Sequence, residues 1–418
     1  MEKSGKFRLT SLERNWILYD VGNSAFVLMV ATLIPIFFNA LAESGGLSSV
    51  EYLAYWGYAS SAVTVITAVL SPILGTVADT KGFKKPIFIL CVFVGIVGCC
   101  AMGAVAAWLP FLVIFVIAKV GFSGSLVFYD SMLSDVTTPE RMDEVSSRGY
   151  AWGYIGSCVP FVACLGLVLG AGSIGISQMT ALNLALLLTA AWWLLTTLPL
   201  LKSYKQLYYV EVEKHAVRQS FARIGHTLRH LPEDKQVFWF LLAFFCYIDG
   251  VYTIIDMATA YGTALGLDTT GLLLALLVTQ IVAFPSALIF GRLSNKYPSA
   301  KLIPVCIAAY AGIAVFAFFL TQQWQFWVLA VIVGMFQGGV QALSRSHFAK
   351  IIPPEKSGEY FGLFDICGKG ASFLGTMIVS VGSQLTGSAN VGVGSLIVLF
   401  IVGFVLFRVS CKKEVVPE

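Results

Sequence analysis

Gly75-Thr76-Val77-Ala78-Asp79-Thr80-Lys81-Gly82-Phe83-Lys84-Lys85 is a short charged stretch between two long apolar runs, residues 52–74 and 86–108. Each run reaches the roughly 20 residues that a helix needs to cross a bilayer. The charged stretch therefore reads as a turn joining two membrane helices, with glycines for the tight bend. A degenerate second copy, Gly291-Arg292-Leu293-Ser294-Asn295-Lys296-Tyr297-Pro298-Ser299-Ala300-Lys301, begins 291 − 75 = 216 residues later. Pro139-Glu140-Arg141 returns as Pro354-Glu355-Lys356 at 354 − 139 = 215. Two separate matches at nearly equal offsets predict two homologous halves in parallel orientation.

Outward from these turns the chain holds ten more apolar runs, at 16–41, 110–133, 147–169, 178–201, 237–261, 271–290, 302–320, 324–348, 358–382 and 391–407. Charged residues are only 12% of the chain and hydrophobic ones 57%, about half the charge of a soluble domain. The expectation is an all-α membrane protein with 12 transmembrane helices. It divides into an N-terminal half (1–201), a linker (202–235) and a C-terminal half (236–418). The first run is read as a retained helix, since no small-residue cleavage site follows a short apolar segment. With the N-terminus in the cytoplasm, all 27 lysines and arginines except Lys119 and Lys369 fall in cytoplasmic segments and helix ends. That segregation is what the positive-inside rule demands, and it places both termini in the cytoplasm. In the linker, Val217, Phe221, Ile224, Leu228 and Leu231 step by four and three, an apolar stripe suited to a helix on the membrane surface. It reads either as a tether between the halves or as a partner site.

No CxxC or His/Cys spacing suggests a metal, the nine cysteines sit mostly in apolar runs, and no nucleotide-binding loop or nucleophile–histidine pairing occurs. The sequence thus offers no cofactor, no nucleic-acid partner and no enzyme motif. The chemistry lies in charges inside the membrane runs, which are costly and usually mark a pathway or relay. Asp20 has Asn23 and Ser24 on its face at i+3 and i+4. Lys119 sits mid-helix, Asp249 near mid-depth, and Asp256 seven residues on with Tyr252 between. Gln337 and Gln341 share a face, and Asp365 and Lys369 stand at i,i+4. Plainer readings exist for several of these. Asp365–Lys369 can be an intrahelical ion pair, Asp20 an interfacial anchor, and the glutamines interhelical hydrogen-bond partners. Gly149/Gly153, Gly166/Gly170 and Gly334/Gly338 read as close-packing pairs.

The Gly75–Lys85 turn resembles the signature loop of the major facilitator superfamily at Gly75, Asp79, Gly82, Lys84 and Lys85, and departs from it at Thr80 and Phe83. The resemblance implies that these residues form a cytoplasmic gate. Further segments resemble the vacuole-effluxer-like branch of that superfamily, whose fungal members are linked to autophagy and amino-acid release. They are Trp16 to Phe26, with Asp20, Gly22 and Asn23; Tyr247-Ile248-Asp249-Gly250; Arg148-Gly149-Tyr150; Gln337 to Ser346; and Glu359-Tyr360-Phe361-Gly362. The resemblance implies a central cavity lined by helices 1, 4, 7 and 10, and so by Asp20, Lys119, Asp249, Gln337 and Gln341. It implies alternating-access efflux of an amino-acid-like solute by a monomer in a bacterial cell membrane. Carboxylates together with a lysine suit a small polar or zwitterionic solute, and a desolvated carboxylate, Asp249 or Asp20, suits a proton as the coupling ion. A non-transporting sensor on the same fold, and a lipid or drug exporter, are the alternatives. From depth and opposite charge, Asp249 and Lys119 are expected to face one another across the substrate site.

Overall fold

The computed structural model describes residues 7–211, 225–227 and 229–411; within its helices the side chains at several positions, Lys369 among them, are outside the description. The linker stripe at Val217, Phe221, Ile224 and Leu228 also lies outside the described residues. The N-terminal half contains α1 (Ser11–Ala31), α2 (Leu33–Ser44), α3 (Ser49–Ala78), α4 (Lys84–Met102), α5 (Trp108–Ser131), the one-turn α6 (Leu133–Val136), α7 (Met142–Leu169) and α8 (Gln178–Ser203). The C-terminal half contains α9 (Lys235–Ala264), α10 (Thr269–Leu293), α11 (Ser299–Phe318), α12 (Gln323–Ile351), α13 (Ser357–Thr386), α14 (Ala389–Gly394) and α15 (Ile397–Cys411). Among the described residues, eleven spans are long and apolar enough to cross a membrane. Helix α13, with 30 residues, is about 45 Å long at 1.5 Å per residue and supplies the twelfth crossing.

Two boundaries differ instructively from the hydropathy reading. The first crossing is not one helix, because it breaks at Thr32 (φ −132°, ψ −76°) between α1 and α2. Pro35 has no N–H to give the preceding turn, and its ring clashes with the carbonyl four residues back. Helix α7 starts at Met142 rather than near 147, so Asp143 and Glu144 form its first turn. Acidic side chains there complement the N-terminal end of the helix dipole.

An even number of crossings puts both ends of the chain on one face, here called the terminal face. The loops on the opposite face, 45–48, 103–107, 170–177, 265–268 and 319–322, contain no lysine or arginine. Within each half the first helix leans on the last. A Cβ on Gly22 of α1 would strike Thr196 of α8, and one on Gly250 of α9 would meet the Phe400 ring of α15. The halves meet along two seams, α3 against α13 and α7 against α10 and α12.

Glycine decides how closely the seams approach. A Cβ on Gly75 would collide with the Gly358 carbonyl, and one on Gly362 would lie 2.7 Å from Pro72 Cα. Gly149 and Gly153 face Trp16, Asp20 and Ser24 of α1, and Gly334 and Gly338 face α10, as close-packing pairs should. Gly166 is different: a Cβ there would meet nothing within 4 Å, and at Gly170 only the helix's own Gly166 carbonyl lies near. That pair is therefore not a packing pair.

Candidate functional site

At the terminal face the turn between α3 and α4 packs against the start of α13. Asp79 is fully buried and accepts from the backbone N–H groups of Gly358 (2.7 Å) and Glu359 (2.8 Å) at the start of α13. A helix start leaves such donors unsatisfied and carries partial positive charge, so a carboxylate suits it. Lys84, also fully buried, lies 3.8 Å from Asp79 and 3.4 Å from Asp135, and donates to Ser357 Oγ at 2.8 Å. Asp135 accepts from the Tyr204 hydroxyl (2.6 Å) and from the backbone N–H of Leu207 and Tyr208, both at 2.9 Å. The first residues of the linker thus strap onto the same cluster, and Gln206 Oε1 accepts from the Gly82 N–H at 3.0 Å. Gly82 takes φ +80°, a conformation glycine adopts without penalty.

The second seam is built from the first turn of α7. Asp143 accepts from Ser346 Oγ and pairs with Lys350, both at 2.6 Å. Glu144 accepts from Asn295 Nδ2 at 2.7 Å and pairs with Arg148 at 2.5 Å. Asn295 is the counterpart of Asp79 (295 − 79 = 216), and Glu144 the counterpart of Glu359 (359 − 144 = 215). Both seams therefore place the turn of one half against a helix start of the other.

Deeper in, Arg345 of α12 is 2% exposed. Sequence reading counts it with the basic helix ends; the structure buries it between the halves. Its Nη1 lies 2.9 Å from Asp130 Oδ1 and 3.9 Å from Asp20 Oδ2. Its Nε and Nη2 donate to Ser146 Oγ (2.9 Å) and the Ser146 carbonyl (3.0 Å). The rings of Trp16, Tyr129 and Tyr150 surround the guanidinium at 4.7, 5.4 and 4.3 Å, an arrangement that favours a cation. Asp130 and Arg345 occupy equivalent positions of the two halves (345 − 130 = 215), so the pair sits close to the pseudo-two-fold axis. Asp365 joins this layer across the other seam, accepting from Ser71 Oγ of α3 at 2.8 Å. A partner in the opposite half therefore accounts for Asp365 without recourse to Lys369, whose side chain lies outside the described residues.

A second polar layer lies nearer mid-depth. Lys119 stands 11 residues before Asp130 on α5, about 16 Å along the axis. Its ammonium lies 4.8 Å from the Phe122 ring centroid and within electrostatic reach of Asp256. The Tyr154 hydroxyl donates to Gln341 Oε1 at 3.2 Å, across the halves. Gln337 Oε1 is buried with no hydrogen-bond partner. Tyr252 lies within electrostatic reach of Asp130, Asp365, Asp256 and Arg345 and so connects the two layers. Asn23 donates from Nδ2 to the Tyr19 carbonyl (3.1 Å) and to Asp20 Oδ1 (3.4 Å).

Asp249 has another setting. It is fully buried, and its two oxygens accept the Gly375 N–H at 2.8 and 2.9 Å, with Thr253 Oγ1 donating at 3.3 Å. The acid in reach of Lys119 is Asp256, while Asp249 binds the backbone of α13. Sequence reading did not single out Asp130, Asp143, Glu144 or Arg345, which the structure places at the contacts between the halves. For Asp130 and Arg345, opposite charges at matching positions of the repeat were the available signal.

The comparisons with known proteins agree with this architecture. The family model for vacuole effluxer Atg22-like proteins matches residues 11–140 and 134–414. The chain is 42% identical to the MFS-type transporter YxiO of Bacillus subtilis (strain 168) over 404 residues, 96% of this chain and 94% of that one. It is 25% identical to Autophagy-related protein 22 of Coccidioides immitis (strain RS), a match over 64% of this chain that spans about half (51%) of the fungal protein. Its fold is similar to that of the human organic anion transporter MFSD10, with a TM-score of 0.72, 15% identity and coverage of 94% and 99% of the two chains. It is also similar to that of the transporter FucP in its outward conformation, with a TM-score of 0.70, 16% identity and coverage of 96% and 97%. The chain belongs to the vacuole effluxer Atg22-like family and is a multi-pass transporter of the major facilitator superfamily, not an enzyme.

Proposed function

We propose that this chain exports a small zwitterionic, amino-acid-like solute by alternating access, with protons as the coupling ion. The observation that carries the reading is a set of polar side chains between the halves with charge of both signs at two depths. Lys119 and Asp256, from opposite halves, lie within electrostatic reach of one another, apart from the Asp20–Asp130–Arg345 layer. A zwitterion needs an anionic and a cationic partner in one low-dielectric space, and desolvation makes each contact stronger than in water. Tyr252, Tyr154, Gln337 and Gln341 add neutral hydrogen-bonding groups between the layers. Asp249 and Thr253 brace α13 beside this space and set its shape.

The basic terminal face is read as cytoplasmic, because lysine and arginine are absent from the opposite loops. The membrane is then read as a bacterial cell membrane, the relative at 42% identity being bacterial, and the single chain as supplying the whole pathway. With the seams closed at that face, Gly75, Asp79, Gly82, Lys84 and Lys85 form the cytoplasmic gate in its shut position. The direction of transport follows from the effluxer description of the family.

The test is counterflow in liposomes that contain the purified chain. Labelled amino acids should accumulate against an excess of the same unlabelled compound inside, and a pH gradient should drive net movement. Absence of counterflow for every amino acid and short peptide tried would sink the solute assignment. Binding without flux would favour a sensor, and flux of apolar drugs or lipids alone would favour the other exporter reading.

A further inference from the structure

A coupling proton needs a seat whose charge decides whether the halves stay together. We propose that Asp20 and Asp130, two carboxylates around the single guanidinium of Arg345, form that seat, and that protonating one of them unlocks the terminal face. This rests on the proton-coupled export proposed above.

Every partner of Arg345 named here belongs to the opposite half: Asp130 at 2.9 Å, Asp20 at 3.9 Å, and Ser146 through two donors. The arginine is thus a bolt held by the N-terminal half. Two carboxylates and one guanidinium carry a net charge of −1, so one proton makes the group neutral. Arginine keeps its own proton in proteins, so the acids are the titrating members. Asp20 Oδ2 is buried, makes no hydrogen bond and faces Arg345 only at 3.9 Å, so it is the more loosely held of the two carboxylates. The Asp130 side chain is 21% exposed, which gives water a route to the layer.

The groups facing the triad are Tyr19 and Asn23 from α1, Tyr129 from α5, Tyr150 and Tyr154 from α7, Tyr252 from α9 and Asp365 from α13. Among these neighbours Asp365 is the acid and Arg345 the cation. A proton added to the triad therefore relieves repulsion among three carboxylates as well as weakening the bolt.

The step is a simple proton transfer. A carboxylate oxygen gains H⁺ from water in the space between the layers and becomes a neutral acid. Arg345 retains one ionic partner and loses attraction to the other, so the seams can part. When the terminal face opens, the proton leaves to water on that side, and the ionised triad draws Arg345 back. Proton entry thus accompanies opening toward the terminal face, and return with the triad ionised carries the solute the other way. The device is an antiporter lock.

Spin labels at the exposed positions Glu140 and Lys296, one in each half at the terminal face, read the lock without any solute. As pH falls from 8 to 5, the open-to-closed ratio of the reconstituted chain should rise by about tenfold, within the usual span of coupled equilibria. Asp20→Asn and Asp130→Asn should each flatten that response, whereas Glu51→Gln, an exposed carboxylate on the other face, should leave it intact. If Asp130→Asn fails to fold, Asp20→Asn carries the test alone. A pH response that persists in the folded variants, or is absent from the wild type, overturns the proposal. Counterflow with no pH-dependent opening removes the proton seat and leaves the export reading standing. Pronounced opening that Asp20→Asn abolishes, with no counterflow, supports the lock and removes the solute reading.

Discussion

Replacing Asp79 with asparagine changes one oxygen to an NH2 group and removes one charge, with almost no change in volume. The carboxylate accepts two backbone donors of α13, at 2.7 and 2.8 Å, in a fully buried setting. Asparagine keeps one acceptor, and its NH2 must then face the other N–H. At least one charge-assisted hydrogen bond is lost, about 1.5–3 kcal/mol. The favourable interaction with the start of α13 goes with it, up to about 2 kcal/mol in partly buried cases. Part of the cost also appears in the opened state, where water solvates the carboxylate. The net shift toward the opened terminal face is then about 1–3 kcal/mol, or roughly 5- to 150-fold in population. Lys84 is not stranded, because Asp135 remains 3.4 Å away. Folding should therefore survive. Pulsed electron spin resonance between labels at Glu140 and Lys296 should show the long-distance population rise. An unchanged distribution in a folded Asp79→Asn protein would refute the idea that this contact holds the face shut.

Gly75→Ala should open the same face more strongly, since its new methyl would meet the Gly358 backbone rather than a movable side chain; the same labels report it. Asp249→Asn should lower the melting temperature in detergent by several degrees, because an NH2 would confront the Gly375 N–H; an unchanged melting temperature and unchanged transport would remove Asp249 from the site. Lys119→Gln leaves Asp256 without its neighbouring cation and should weaken solute binding about tenfold or more, measured by thermal shift or calorimetry. Cysteines placed at Lys81 and Lys296 should resist an impermeant reagent in intact cells while Gly46 and Gln322 react, and the reverse pattern would invert the topology.

The fold was legible because its signals are local. Apolar runs of about 20 residues, the Gly75–Lys85 turn and its echo at Gly291–Lys301 each fit within one window of sequence. The contact of Asp79 with a helix start was legible for the same reason. The Asp20–Asp130–Arg345 cluster was not. Asp130 and Arg345 both fall near the ends of apolar runs, where charge normally reaches water and attracts no notice. Only the repeat offset brings them to matching positions. Asp365 has a local candidate partner in Lys369, whose side chain lies outside the described residues, whereas the Asp365 oxygen that accepts from Ser71 faces a helix 294 residues away in sequence. Asp249 drew notice for its place within an apolar run, but its main donor is the N–H of Gly375. A backbone donor has no residue identity and cannot be read from composition or spacing. The break at Thr32 was hidden because hydropathy is blind to Pro35 within an otherwise apolar run.

The repeat also implies that the two seams are unequal. At the α3–α13 seam the buried Asp79 meets a helix start directly. At the other seam its counterpart is the uncharged Asn295, an exposed amide that donates to Glu144. Charge there is carried by two side-chain ion pairs instead, Lys350 with Asp143 and Arg148 with Glu144, whose cations are 26% and 24% exposed. Exposed ion pairs contribute little, about 0–1 kcal/mol, and salt screens them. Buried charge bonded to backbone is screened far less. The α7–α12 seam should therefore be the weaker one and the first to part when the terminal face opens. Lys350→Gln should shift the closed population by at most about fivefold, that is by about 1 kcal/mol. Raising salt to about 0.5 M should reproduce most of that shift in the wild type and add little in the variant. The Asp79→Asn shift should be nearly independent of salt. Equal salt sensitivity at both seams, read by label pairs across each, would show that the difference between Asp79 and Asn295 has no mechanical consequence.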